Sequence, residues 1–256
     1  MISRETKNTW CPGCSNNIIL SSLKTALNEL VADKKIRKEN IVLVTDIGCG
    51  SKIYDLWNNH AFYSLHGRVL PTCLGIKTAN PKLIVVGLGG DGGTYSEGLS
   101  HLISASRYNP DMVMLVVNNG VFALTKGQPT ATGEALVGPA LNPLALALVS
   151  GASFVARAST SESNQLSSLI KKAILHRGFS FLDVLQPCLI FNDTRFALEK
   201  KSYKFSSSAG DRTSLRAALK KALEWDYSFS SRRNIGLGIF YQKERKTWEE
   251  KPMPAK

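Results

Sequence analysis

Acidic residues are scarce in this chain. Only 20 Asp and Glu stand against 32 Lys and Arg in 256 residues, a formal net charge of +12. No apolar run approaches the roughly 20 residues of a membrane-spanning helix, and Met1–Thr9 lacks the apolar centre of a secretion signal. A cytoplasmic protein that touches no membrane is therefore expected. The cysteines number five, an odd count that argues weakly against a disulfide framework. In a reducing compartment, clustered cysteines bind metal or do redox chemistry. Aromatic residues make up 8% with no basic–aromatic stripe, so no nucleic-acid partner is expected. The hydrophobic fraction, 43%, is enough to bury a sizeable core and argues against disorder.

The positive charge is uneven. Arg195–Lys256 holds 15 Lys and Arg against 7 Asp and Glu. A basic surface suits an acidic partner, such as a nucleic acid or a small acidic electron carrier, although solubility alone also accounts for it.

Three Val- and Ile-rich runs without polar alternation, Ile41–Thr45, Leu83–Val86 and Val113–Val117, read as parallel strands covered on both faces. Helical spacing fills the gaps, at Ile18–Val31, Val69–Ala79 and Gly98–Arg107. Asn80-Pro81 and Asn109-Pro110 mark helix ends just before strands. Pro143–Val149 and Glu162–His176 read as further helices, and Phe154–Ala156 and Phe181–Val184 as further strands. The alternation predicts an α/β fold, an open and mostly parallel sheet with helices on both faces. It occupies residues 1–192. The pattern then degrades into a basic C-terminal arm, 193–256, with a loop at Ser206–Gly210, a helix at Leu215–Trp225 and one strand at Gly236–Tyr241.

Ligands in such sheets bind beyond the carboxyl ends of strands. There the sequence LIVVGLGGDGG (83–93) turns a strand through glycines into a helix, exposing backbone N–H groups to an anion. Asp91 inside that turn would repel phosphate unless it holds Mg²⁺, which bridges carboxylate and phosphate oxygens. Asn118-Asn119 ends the next strand, and a side-by-side pairing would bring Asp91 and Asn119 to one ion. The rival is a dinucleotide fold, since Gly87–Gly92 matches G-x-G-x-x-G. That fold wants an acidic residue at the end of the following strand; here Asp111 lies before the strand instead.

The spacing Gly90-Asp91-Gly92, twenty-five residues, Asn118-Asn119 resembles the thiamine diphosphate motif of decarboxylases and transketolase-like enzymes. The resemblance implies that Asp91, Asn119 and the main-chain carbonyl of Val121 hold the metal.

Trp10-Cys11-Pro12-Gly13-Cys14 adds a C-x-x-C pair. Cys49 and Cys188 each follow a strand. If those strands share a parallel sheet, four thiols gather at the edge that carries Asp91. Four thiolates suit zinc or a four-iron, four-sulfur ([4Fe-4S]) cluster equally by ligand type. Cys73 lies within the helical stretch Val69–Ala79 and reads as a buried thiol.

Together, WCPGC (10–14), IGCGSK (47–52), LHGR (65–68), GIKTANP (75–81), GDGG (90–93), NNGVFALTKGQPT (118–130), PC (187–188) and GIFYQKER (238–245) resemble the beta subunits of 2-oxoacid:ferredoxin oxidoreductases over nearly the whole chain. The resemblance implies a thiamine-diphosphate-binding fold. It implies a [4Fe-4S] cluster on Cys11, Cys14, Cys49 and Cys188, and cofactor contacts from Gly48, Cys49, His66, Gly90, Asp91, Gly92, Gly93, Asn119, Val121, Leu124 and Thr125. LTKGQ (124–128) resembles the broad 2-oxoacid or 2-oxoglutarate group. In that group Lys52 would contact the substrate carboxylate, Leu124 would line the substrate pocket, and His66 would stand near the cofactor. The implied reaction converts a 2-oxoacid and coenzyme A to acyl-CoA and CO₂, with electrons passed to ferredoxin. An alpha (or alpha and gamma) subunit would complete the site.

Ser15, Gly50, Phe122 and Ala123 depart from the family pattern, standing where glycine, serine, tyrosine and glycine are usual. Two other classes compete. A non-redox thiamine enzyme would lack the cluster. A zinc-bearing nucleic-acid module would leave Asp91 and Asn118-Asn119 without a role.

Overall fold

The computed structural model describes residues 7–133, 138–205 and 211–250. The loop expected at Ser206–Gly210 and the end of the arm, 251–256, lie outside them.

Ten strands and seven α-helices are present among the described residues. The strands are β1 (Ile41–Thr45), β2 (His60–Tyr63), β3 (Ile84–Gly90), β4 (Val113–Asn118), β5 (Val121–Phe122), β6 (Gln128–Pro129), β7 (Phe154–Ser159), β8 (Ser180–Leu185), β9 (Ser202–Lys204) and β10 (Ile235–Gln242). The helices are α1 (Asn16–Ala32), α2 (Val69–Ala79), α3 (Leu99–Tyr108), α4 (Pro143–Val149), α5 (Ser163–Leu175), α6 (Arg195–Lys201) and α7 (Leu215–Ala222).

Eight strands form one sheet in the order β2-β1-β3-β4-β8-β7-β10-β9. All neighbours are parallel except β10 and β7. Every residue of β4, β7 and β8 is buried, as expected for strands covered on both faces. Leu43, Leu88, Leu115, Val117, Leu182 and Val184 face one layer, packed against Ile19, Leu23 and Leu27 of α1 and Leu166, Leu169 and Ile170 of α5. On the other face Val44, Met114, Val116, Val155, Phe181 and Leu185 meet α2, α3, α4 and α7. The open, mostly parallel sheet with helices on both faces is therefore as expected.

Helix ends follow the local chemistry. Asn142 caps α4 by accepting from the Ala145 N–H at 3.0 Å, with Pro143 at the first helical position. Asn109 closes α3 in the left-handed conformation, φ 59°. Its side-chain oxygen accepts from the Phe179 N–H and the Ser153 hydroxyl, so the expected stop before Pro110 is also a junction between segments. Asp111, weighed as a ribose ligand, pairs with the buried Lys77 at 2.9 Å and is a structural residue.

The segment expected as an arm contributes β10 to the main sheet, between β7 and β9. Its pairing with β7 is antiparallel and carries a bulge between Ile239 and Tyr241.

Gly87 faces α2, where a Cβ would stand 2.8 Å from Val69 Cγ1 and 3.0 Å from Cys73 Sγ and Met114 Sδ. Gly87→Ala is therefore expected to lower unfolding stability by about 1–3 kcal/mol, through overpacking. Urea denaturation followed by circular dichroism measures it.

Candidate functional site

Pairing of β1 with β3, β3 with β4 and β4 with β8 places four carboxyl-end loops side by side. The first follows β1 and contains Asp46 to Ser51. The second is the glycine turn after β3, which enters a π-helical turn at Gly92–Glu97 and then α3. Asn119 follows β4, and Gln186 to Cys188 follow β8.

These loops line a cavity of about 390 Å³. Gly48, Cys49, His66, Gly90, Asp91, Gly92, Gly93, Asn119, Val121, Leu124 and Thr125, all anticipated from the sequence, stand on its wall. Asp91 is buried, and its Oδ2 accepts from the Gly120 N–H at 3.0 Å, the Thr130 hydroxyl at 2.5 Å and the Thr132 hydroxyl at 3.3 Å. Burial raises its pKa to about 6 against the lowering effect of those bonds. A Cβ on Gly92 would collide with the Phe122 ring, so glycine is what lets that ring close over the turn.

Asn119 is held at each polar group. Its Nδ2 donates to Gln186 Oε1 at 3.1 Å, its Oδ1 accepts from the Val121 N–H at 3.1 Å, and its carbonyl accepts from Asn192 Nδ2 at 2.8 Å. The first bond fixes which end of the amide presents oxygen. Asn118 points the other way, donating to Asp183 at 3.0 Å and accepting from Thr132 at 2.8 Å.

A second, smaller cavity of about 50 Å³ adjoins the first, and Cys11, Cys14, Cys49 and Cys188 all line it. Cys49, Asn119 and Ala123 stand on both walls. Among the described residues, no three His, Cys, Asp or Glu side chains converge as ligands of a single ion would; the thiols ring a space instead. Burial raises the thiol pKa of Cys14 and Cys49, and the other cysteines of the group raise both further. Cys14 is offset by hydrogen bonds from Asn16, and Cys49 by the charge of Lys52.

The cysteine loops are braced. Trp10 Nε1 donates to the Cys49 carbonyl at 2.6 Å. Cys188 and Asn192 exchange backbone bonds at 3.1 and 2.9 Å. Ser15, a departure from the family glycine, accepts from Gln186 Nε2 at 3.0 Å and donates to the Pro187 carbonyl at 3.4 Å, joining the C-x-x-C turn to the Cys188 loop. Gly50, where serine is usual, faces Val117, whose Cγ2 would lie 3.1 Å from a Cβ.

Lys52 lines the smaller cavity, not the larger, and its ammonium donates to the Thr9 carbonyl at 3.2 Å. His66 pairs through Nδ1 with Glu97 at 2.8 Å, on the wall of the larger cavity. Leu124 is about half exposed there. Cys73 is fully buried in α2, as anticipated, with its thiol pKa pushed far up by burial.

Several site residues escaped the sequence reading. Asp46 is fully buried beside the glycine turn, with Oδ1 held by the Ser51 hydroxyl and Oδ2 without a partner. Burial raises its pKa to about 6. Thr130 and Thr132, which bond Asp91, and Gln186, which bonds Asn119, were also missed. Gln186 directly precedes the PC motif, which was the available signal. Thr130 closes the motif 118–130 without having been given a role, and Thr132 lies just past it and offered no signal.

Residues 46–184 match the C-terminal TPP binding domain of thiamine pyrophosphate enzymes. The chain is 39% identical over 263 residues to a 2-oxoacid:ferredoxin oxidoreductase subunit beta of Saccharolobus solfataricus, covering 93% of this chain and 82% of that relative. It is 33% identical over 221 residues to a 2-oxoglutarate synthase subunit KorB of Methanothermobacter thermautotrophicus, covering 81% and 76%. A solved 2-oxoglutarate:ferredoxin oxidoreductase from Magnetococcus marinus, with 2-oxoglutarate, coenzyme A and succinyl-CoA bound, superposes with a TM-score of 0.87 at 29% identity, over 96% of this chain and 85% of that one. The resemblance carried by the cysteine and glycine motifs is thus matched along the whole sheet, and the chain belongs to the beta subunits of the 2-oxoacid:ferredoxin oxidoreductases.

Proposed function

We propose that this subunit carries both thiamine diphosphate with Mg²⁺ and a [4Fe-4S] cluster, and that electrons released in the larger cavity leave through the smaller one. The observation that carries the reading is the shared wall: Cys49, Asn119 and Ala123 line both cavities.

The donor set fits a divalent ion. The three bonds to Asp91 all fall on Oδ2, so Oδ1 is left to face a cation. An amide oxygen has two lone pairs; Asn119 Oδ1 spends one on the Val121 N–H and keeps one. The Val121 carbonyl is the third ligand. Gly48 and the glycine turn from Gly90 to Gly93 stand where a diphosphate would lie, with His66, Leu124 and Thr125 around the remaining cofactor and substrate. Ionised Asp91 pays the desolvation of its buried position unless a cation stands beside it.

The cysteine cavity makes a similar argument. Burial is the main reason that the Cys14 and Cys49 thiols are raised, and neighbouring cysteines add a smaller repulsion. Bound iron would offset both costs with its positive charge and would hold the sulfurs as thiolates. Four cysteine thiols lining one small cavity beside the cofactor site suit the ligand set of a [4Fe-4S] cluster with an electron-transfer role there.

Bound thiamine diphosphate supplies the electron sink for loss of CO₂ from a 2-oxoacid. The chain's own work is to hold the cofactor, exclude water with Phe122 and Leu124, and keep the acceptor within a wall's thickness. Lys52 lines the cysteine cavity, and to meet a substrate carboxylate in the larger one its ammonium would have to leave the Thr9 carbonyl. The products are acyl-CoA and CO₂, with coenzyme A as acyl acceptor. No carboxylate of this chain is assigned to activate the cofactor's aminopyrimidine, which falls to the alpha subunit. Acidic ferredoxin would be drawn to the basic surface.

Three outcomes are expected of anaerobically prepared alpha–beta complex. Asp91→Asn should abolish Mg²⁺-dependent thiamine diphosphate binding by calorimetry and keep the iron, while Cys188→Ser should lose iron by metal analysis and still bind the cofactor. Both variants losing both groups, or neither, would refute the two-cavity assignment. The beta chain without its alpha partner should show no 2-oxoacid-dependent dye reduction; robust reduction would place a complete site on this chain. Apparent affinity for ferredoxin should fall steeply between about 0.1 M and 1 M salt, as the screening length shrinks from about 10 Å to about 3 Å. A salt-independent affinity would remove charge from the docking argument.

A further inference from the structure

A charged pair sits in the middle of the sheet, away from both cavities. Asp183 of β8 and Arg157 of β7 are register partners, both essentially unexposed. The Asp183 carboxylate is the meeting point of three segments. Its Oδ1 accepts from the Tyr95 hydroxyl at 2.8 Å and from Asn118 Nδ2 at 3.0 Å. Its Oδ2 accepts from the Tyr227 hydroxyl at 2.7 Å and lies 3.7 Å from Arg157 Nε.

Each of the first two donors belongs to a different half of the proposed metal site. Tyr95 lies in the π-helical turn that begins one residue after Asp91. Asn118 directly precedes Asn119, and its Oδ1 accepts from Thr132, whose hydroxyl also reaches Asp91 at 3.3 Å. A line of contacts therefore runs from Asp183 through Asn118 to Thr132, whose single hydroxyl proton goes to Asn118 at the shorter distance and leaves Asp91 at a longer, shared contact. A second route runs through Tyr95 into the same turn.

The third donor comes from the C-terminal segment. Arg157 Nη2 donates to the Tyr227 hydroxyl at 2.9 Å, and its guanidinium faces the Trp225, Tyr227 and Phe240 rings at 4.9, 4.8 and 5.2 Å. Trp225 and Tyr227 stack at 4.4 Å. The rings exclude water from the pair, so the carboxylate is oriented by protein donors alone.

We propose that Asp183 is a positioning residue for the cofactor site, and that Tyr227 and Arg157 couple the C-terminal segment to the affinity for Mg²⁺ and diphosphate. This rests on the reading of Asp91 and Asn119 as metal ligands. Asp183 touches neither the ion nor the cofactor; it fixes the two loops that do. Groups bonded directly to a metal ligand are worth about 10–100-fold in metal affinity; Asp183 stands one step farther out, so a smaller effect is expected of it.

The test uses the anaerobic alpha–beta complex and compares Tyr227→Phe, Tyr95→Phe and Asp183→Asn with Asp91→Asn. Calorimetry measures the thiamine diphosphate Kd across a Mg²⁺ series, alongside iron content and Tm. Tyr227→Phe and Tyr95→Phe each remove one hydroxyl. Each is expected to raise the Mg²⁺ concentration for half-maximal binding by about two- to fivefold, less than the roughly tenfold of a direct partner of a ligand, with iron retained. Asp183→Asn is expected to do so more strongly. A lowered Tm with an unchanged Mg²⁺ series in both tyrosine variants would make the network merely structural and overturn the proposal, even if Asp183→Asn fails to fold. If Asp91→Asn itself binds cofactor like the wild type, the metal-ligand reading fails and the proposal falls with it.

Discussion

The parallel pairing of β1, β3, β4 and β8 is the constraint on which the rest depends. Adjacent strands lie about 4.8 Å apart and end at the same edge. Loops far apart in sequence are thereby forced into one row. The β4–β8 pair matters most, because it joins elements separated by α4, β7 and α5 and sets Asn119 beside Gln186. A slip of one residue would turn Asn118 and Asn119 to each other's faces. The ladder from Val113↔Ser180 to Asn118↔Leu185 leaves no slack for that.

Charge explains why the row is built of buried groups. Asp46 and Asp91 are carboxyls that burial pushes towards neutrality, and Cys14 and Cys49 are thiols pushed the same way. A folded scaffold that gathers such groups is electrostatically frustrated by itself. At that edge the frustrated groups lie in loops, while the strands beneath are fully buried and mostly apolar. The core can therefore hold the frustrated edge in place, and the same groups gain free energy when cations arrive.

The central strands were legible because they are apolar on both faces, a pattern that does not depend on neighbours. Helix α4 was read at Pro143–Val149, the bounds the structure gives it. The edge was harder. Strand β2, His60–Tyr63, has three of its four residues exposed or nearly so and is too short to show a period. Helix α6 carries a single buried side chain, Leu198. The β5–β6 hairpin is two residues on each side, held by the turn at Lys126-Gly127, where both residues have positive φ. For β10 the strand was readable but its neighbours were not, because an antiparallel pairing with β7 spans some eighty residues of chain. The cysteine and glycine loops were legible as chemistry. The residues that brace them, Ser15, Gln186, Thr130 and Thr132, are ordinary polar side chains whose role exists only once the strands are paired.

Arg157 and Asp183 did leave a mark in the sequence, as opposite charges interrupting the apolar runs FVARAS and SFLDVL. Such a pair is a poor source of stability, since desolvation offsets most of its attraction. Hydrophobic replacements would fill the same space at lower electrostatic cost. What they could not do is orient Asn118 and Tyr95, because only an acceptor with two oxygens can take hydroxyl and amide donors from three segments at once. The pair is thus better understood through direction than through energy. It converts the position of the C-terminal segment into the orientation of two loops at the sheet edge, a conversion that an apolar core, being indifferent to rotation, cannot make.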